Sequence, residues 1–137
     1  MKKILFFCLL LLGGVLSAAN ENSVFRDSMG RIKGSASTSG NTTTYRDASG
    51  RIKANAVTNG KITTYRDGAG RIIGQATQNG NTVTYRDNAG RIKYIEYKSG
   101  NNSTFRTAGG KIIGTSNKNG STTTVRNAQG RTVLIKR

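Results

Sequence analysis

The sequence has no histidine, no proline and no tryptophan, and its one cysteine, Cys8, lies within the first ten residues. Each absence removes a class of chemistry. Without histidine the commonest general acid–base group is missing. With Cys8 confined to the leader, neither a thiol nucleophile nor a Ser–His pair exists further on, and no disulfide frame can brace the fold. Acids are scarce too: six Asp and Glu stand against twenty-two Lys and Arg. The six are Glu21, Asp27, Asp47, Asp67, Asp87 and Glu96. A row of Asp oxygens would suit calcium, but each Asp here follows an Arg and has another Arg four residues on, a poor setting for a cation. No glycine pattern has the spacing of a phosphate loop or a dinucleotide fingerprint. The expectation is a protein that is not an enzyme, with no cofactor and no metal site.

The N-terminus has the form of a signal peptide. Lys2 and Lys3 precede an apolar run from Ile4 to Leu12, and Ser17-Ala18-Ala19 supplies small residues for cleavage. The apolar run is too short to span a bilayer. Residues 1–19 are expected to be removed during export, leaving 20–137 as one domain that is secreted or periplasmic. Removing Lys2 and Lys3 from the formal +16 leaves +14. A charge of that size bears on partners and not on fold. It points to anions: lipopolysaccharide, anionic wall polymers, nucleic acid or acidic membrane surfaces.

What the sequence does have is a period. Tyr45-Arg46-Asp47-Ala48-Ser49-Gly50-Arg51-Ile52 recurs at Phe25–Ile32, Tyr65–Ile72, Tyr85–Ile92 and, more loosely, at Phe105–Ile112 and Val125–Thr132. The spacing is twenty residues throughout, which is the mark of a repeat architecture. The repeats are 21–40, 41–60, 61–80, 81–100, 101–120 and a shortened 121–137. Each carries two turn signals. Asp-x-x-Gly starts a turn through the Asp side chain and ends it on a residue that tolerates left-handed φ. Asn-Gly or Ser-Gly, as at Asn59-Gly60 and Ser39-Gly40, is a strong hairpin signal. The runs between are rich in Thr, Tyr, Ile and Val, as strands are. The fold class expected is all-β: six tandem β-hairpin repeats forming an antiparallel meander, closed into a barrel or roll or coiled as a hairpin solenoid. Closure would remove the hazard of open strand edges.

The unit Thr44–Ile52 resembles the YD repeat of bacterial Rhs-type and teneurin-like proteins. That repeat has Tyr-Asp-x-x-Gly-Arg-Leu at a nearly identical period, with joins like Gly40-Asn41-Thr42-Thr43. Here Arg46 stands where the family has the Tyr before Asp, and the Tyr comes one residue earlier. The resemblance implies strand-turn-strand units over the whole of 20–137.

Loop lengths then predict a register. A four-residue loop at 47–50 sets Arg46 opposite Arg51 and Tyr45 opposite Ile52. A two-residue Ser39-Gly40 turn sets Gly34 opposite Tyr45, and likewise Ala54 opposite Tyr65 and Gly74 opposite Tyr85. Both put Tyr45, Thr43, Ile52, Ala54 and Ala56 on one face, because side chains alternate along a strand. A three-residue first loop would pair Tyr45 with Lys53 and break this agreement. With Ile on the buried face, Ile72→Ala is expected to cost about 2–5 kcal/mol. The fourth repeat departs at Tyr94-Ile95-Glu96-Tyr97, where Tyr94 is expected opposite Phe105. The departure reads as a packing adjustment or as a specialised site around Tyr94 and Tyr97. The apolar Thr132–Ile135 reads as a closing strand.

The remaining signal is basic. Arg46, Arg66 and Arg86 belong to one column, Arg51, Arg71 and Arg91 to a second, and Lys53 and Lys93 to a partial third, all on the polar face. These eight are the candidate polyanion-binding residues. Their columns serve either as a ladder bridged by the Asp residues or as a docking surface for a polyanion. The function expected is an exported repeat protein that holds an anionic polymer or envelope surface. The alternative is a structural protein that self-associates into a matrix or fibre.

Overall fold

The computed structural model describes residues 20–137, so the signal peptide expected over 1–19 lies outside the described residues. The Thr-, Ile- and Tyr-rich runs form twelve strands in chain order: β1 (Glu21–Arg26), β2 (Ile32–Ser39), β3 (Thr42–Asp47), β4 (Ile52–Asn59), β5 (Ile62–Asp67), β6 (Ile72–Asn79), β7 (Thr82–Asp87), β8 (Ile92–Ser99), β9 (Asn102–Arg106), β10 (Ile112–Asn119), β11 (Thr122–Asn127) and β12 (Thr132–Lys136). Each strand pairs antiparallel with its neighbours in sequence, and β12 returns to β1, so the meander is a closed barrel of six hairpins. The closing ladder is short. Phe25 faces Lys136 and Arg26 faces Ile135, and Val24 and Arg137 exchange two backbone hydrogen bonds of 2.7 and 3.0 Å. No helix among the described residues is long and apolar enough to cross a membrane.

The two kinds of turn lie at opposite ends. The Asp-x-x-Gly loops, with their Thr107 and Asn127 counterparts in the last two repeats, form one rim. The other end holds the shorter turns. There Ser39 pairs with Thr42, so the turn residues are Gly40-Asn41 and not Ser39-Gly40. Gly40 has φ +59°, which suits the first central position of a type II′ turn. The shift moves every pairing along by two and keeps the faces. Tyr45 therefore lies opposite Ala36, Tyr65 opposite Ala56 and Tyr85 opposite Ala76, in place of the expected Gly34, Ala54 and Gly74.

The other correction is larger. The loop that follows Asp47 has three residues, 48–50, and not the expected four. Asp47 donates its N–H to the Arg51 carbonyl at 2.9 Å, and Gly50 donates to the Asp47 carbonyl at 3.0 Å, with Gly50 at φ +82°. That is a type I turn completed by a left-handed glycine. Arg46 then faces Ile52, not Arg51. The conflict between Tyr45 and Lys53 is avoided because the ladder slips: Arg46 pairs with Ile52 but Tyr45 pairs with Ala54, leaving Lys53 as the extra residue of a β-bulge. The same slip recurs at all six hairpins of this kind: Arg86 faces Ile92 while Tyr85 faces Tyr94, and Arg106 faces Ile112 while Phe105 faces Gly114.

The bulge turns the isoleucines outward. Ile32, Ile52, Ile72, Ile92 and Ile112 are 36–49% exposed, where the simpler register had them in the core. The interior is built instead from Phe25, Tyr45, Tyr65, Tyr85, Phe105 and Val125, with Ala36, Ala54, Ala56, Ala76, Val83, Tyr94 and Leu134. Thr43, Ala54 and Ala56 do share the buried face with Tyr45, as the alternation requires. Glycine lies opposite the aromatic of its own repeat, as Gly34 opposite Phe25 and Gly74 opposite Tyr65. A Cβ on Gly74 would stand 2.5 Å from the Arg86 carbonyl oxygen, so the neighbouring backbone must shift wherever this position carries a side chain, as at Ala54 and Tyr94.

Phe105 is 1% exposed and Ile72 43%. Phe105→Ala should therefore cost about 3–5 kcal/mol, whereas Ile72→Ala should cost less than about 1 kcal/mol. Urea unfolding of both variants checks this ordering.

Candidate functional site

Charge collects at the Asp-x-x-Gly rim because of how each loop is made. The loop needs a side-chain oxygen at its first position, to hold backbone N–H groups that the turn leaves without partners. Asp47 Oδ1 accepts from the Ser49 N–H at 2.9 Å and the Arg51 N–H at 3.0 Å. Asp27, Asp67 and Asp87 do the same. In the last two repeats Thr107 and Asn127 take the position, Thr107 accepting from Lys111 and Asn127 from Gln129 and Arg131. The turn thus requires an oxygen and not a charge. The backbone N–H of Arg51 is the chief cause that holds the Asp47 carboxyl below its ordinary range, and Arg71 and Arg91 act likewise on Asp67 and Asp87.

The first arginine column folds along its own loop. Arg46 Nη1 donates to the Gly50 carbonyl at 3.0 Å, and Arg66 and Arg86 reach Gly70 and Gly90 at 2.9 and 3.1 Å. In the second column Arg71 and Arg91 place Nε 2.9 and 3.2 Å from Asp67 and Asp87 Oδ2. Lys53 Nζ stands 3.8 Å from Asp47 Oδ2. These contacts are exposed: the Arg71 and Arg91 side chains keep 81% and 80% of their accessible surface. Exposed pairs of this kind contribute little to stability, and each guanidinium retains donors beyond the one used.

All eight candidate residues, Arg46, Arg51, Lys53, Arg66, Arg71, Arg86, Arg91 and Lys93, therefore lie at this rim on exposed positions. The direct Arg46–Arg51 opposition expected from the sequence is replaced by an Arg46–Ile52 pair. Fifteen of the twenty Lys and Arg after residue 19 belong to the rim strands and loops, against the four Asp. What the sequence treats as a charged face is in the structure a charged end.

The fourth repeat builds a second feature, inside the barrel. Tyr94 is buried and Tyr97 is on the outer wall, 44% exposed, so the two are not brought together. Tyr94 stacks on Tyr85, with ring centroids 4.3 Å apart, and meets Phe105 edge-on at 6.3 Å. Its strand partner is Tyr85, not Phe105. Glu96, 4% exposed, accepts hydrogen bonds from the Tyr85 hydroxyl at 3.1 Å and from Ser103 Oγ at 2.8 Å. A buried carboxylate needs such donors. Burial pushes the Tyr65 hydroxyl far above its ordinary range, helped by Tyr45 and Glu96, and pushes Tyr85 up likewise. The Tyr45 hydroxyl is buried with no hydrogen-bond partner among the described residues, and burial alone raises it.

On the outer wall, a shallow groove of about 270 Å³ runs over β9, β10 and β11, lined by Asn102, Thr104, Thr115, Asn117, Thr124 and Arg126 among others. Its residues carry no pattern that sets them apart from the other Thr and Asn of the repeats, so sequence reasoning misses it. Among the described residues no group of three His, Cys, Asp or Glu gathers to hold a metal ion. No protein-family model matches the chain, and no curated protein matches it.

The two buried tyrosines offer a contrast. Tyr85→Phe leaves the Glu96 carboxylate short of a donor and should cost about 1–3 kcal/mol. Tyr45→Phe removes a hydroxyl that has no partner and should be neutral or stabilising. Denaturant midpoints of the two variants should move in these different ways. Equal losses would show that the Glu96 contact is not formed.

Proposed function

We propose that the protein is an exported, non-enzymatic binding module that holds anionic polymers or surfaces at the cell envelope through its cationic rim. The observation that carries this reading is the gathering of fifteen Lys and Arg at one end, with only four Asp among them. The turn chemistry uses the Asp side chains and one donor of each Arg46-type guanidinium. The remaining donors face solvent and match the oxygens of phosphate, sulfate or carboxylate groups. The aromatic rings are inside the barrel except Tyr97, which lies toward the end away from the rim, so base stacking at the rim does not favour nucleic acid over other polyanions. The YD-like unit is, in this reading, a means of building hairpins. Closure also weighs against the fibre alternative, since each described strand has a neighbour on both sides and fibre growth uses an open edge.

Binding should be steeply dependent on salt, because each engaged cation releases counterions from a densely charged polymer. Changing Arg66, Arg71, Arg86 and Arg91 together to Gln should flatten the slope of log K against log salt by about three to four on heparin. Circular dichroism should be unchanged, because the four side chains are exposed. If heparin is not bound at low salt, or the slope is unaltered, the reading fails.

A further inference from the structure

The rim is not only cationic. The bulge that moves Ile52 out of the core sets it directly across from Arg46, and the same pairing recurs at Arg26–Ile32, Arg66–Ile72, Arg86–Ile92 and Arg106–Ile112. Five exposed isoleucines thus alternate with five arginines in a band around the outside of the barrel. Met29, 71% exposed, adds an apolar side chain at the first loop. Six of the eight large apolar side chains exposed on the described residues lie in this band or its loops, Ile62 and Tyr97 being the others. Beyond the band the outward positions mix polar residues, among them Thr44, Asn55, Thr64, Gln75, Thr77 and Thr84, with the scattered apolar Val57, Ile62, Ile95 and Tyr97, so the wall does not carry the continuous tall apolar belt of a barrel that spans a membrane.

A hydrated polymer gives isoleucine nothing to pack against, and leaving five of them exposed in one band is costly for a surface that meets only water or sugar. An anionic bilayer matches both components. The band lies about three residues, under roughly 10 Å, from the loop tips, within the roughly 5–10 Å that an interfacial element sinks into the headgroup region. Arginine stems can lie along the isoleucines while their guanidinium groups stay among the headgroup phosphates. We propose that the Asp-x-x-Gly end of the barrel docks on an anionic lipid bilayer, with the Arg columns on lipid phosphate and the Ile band at the acyl boundary. This rests on the polyanion reading and names its partner.

The test is cosedimentation of the purified protein with vesicles of phosphatidylglycerol and phosphatidylcholine, beside heparin binding, over one salt series. Vesicle binding should require phosphatidylglycerol, and at moderate salt it should outlast heparin binding because burial of apolar side chains adds to charge. Ile52→Ser, Ile72→Ser and Ile92→Ser combined should weaken vesicle binding by at least about tenfold and leave heparin binding unchanged. The same three positions changed to Leu should keep vesicle binding, which separates lost apolarity from lost fold. Heparin binding with no Ile-dependent vesicle binding overturns the docking proposal and leaves the rim as a site for soluble polymers. Loss of both, in the unsubstituted protein at low salt, overturns the polyanion reading itself.

Discussion

In every repeat a side-chain oxygen at the Asp47 position accepts the backbone N–H four residues on, and the rest of the barrel depends on that contact. It fixes a three-residue loop closed by a left-handed glycine. The loop sets Arg46 against Ile52, and the mismatch this creates with the next pair is absorbed by the bulge at Lys53. One local interaction thereby decides which side chains enter the core. It sends the aromatic residue inward, the isoleucine outward and both arginines to the rim. Repeated six times around a closed sheet, it turns a local choice into a ring.

Much of this architecture is legible in the sequence. The period, the hairpins, the meander, and the aromatic and small-residue columns follow from spacing and alternation, as does a closing strand at Thr132–Ile135. The place of isoleucine is not legible in the same way. Alternation assumes an unbroken ladder, and one bulge between Arg46 and Tyr45 reverses the face of everything on its far side. A four-residue loop with no bulge and a three-residue loop with one leave Thr43, Ala54 and Ala56 on the same face. Ile52 and its neighbour Arg51 distinguish them, and apolar character argues for the wrong answer at Ile52. The signal that could have found it is Gly50 at the fourth place of Asp-x-x-Gly, which is the glycine of a three-residue hairpin.

The fourth repeat shows what the regular pattern hides. Near-identical hairpins could pair with one another in several registers, because their ladders look alike. Glu96 has no acidic counterpart in the other repeats, where the position is Ala36, Ala56, Ala76, Ser116 or Lys136. Its hydrogen bonds to Tyr85 and Ser103 join β7, β8 and β9 in one arrangement, and the Tyr94 ring takes space that glycine or alanine leaves elsewhere. The carboxylate is readable in the sequence as an odd acid. Its burial is readable only once the alternation from Tyr94 is carried through to the interior.

Closure of the barrel and the register at the bulge are both open to one measurement. A nuclear Overhauser spectrum of the protein in solution should connect the α-protons or amides of Arg46 with Ile52, of Tyr45 with Ala54, and of Phe25 and Val24 with Lys136 and Arg137. A spectrum that instead pairs Tyr45 with Ile52 and Arg46 with Arg51, with no contact between β1 and β12, would mean an open sheet with a flat arginine face, and would contradict both.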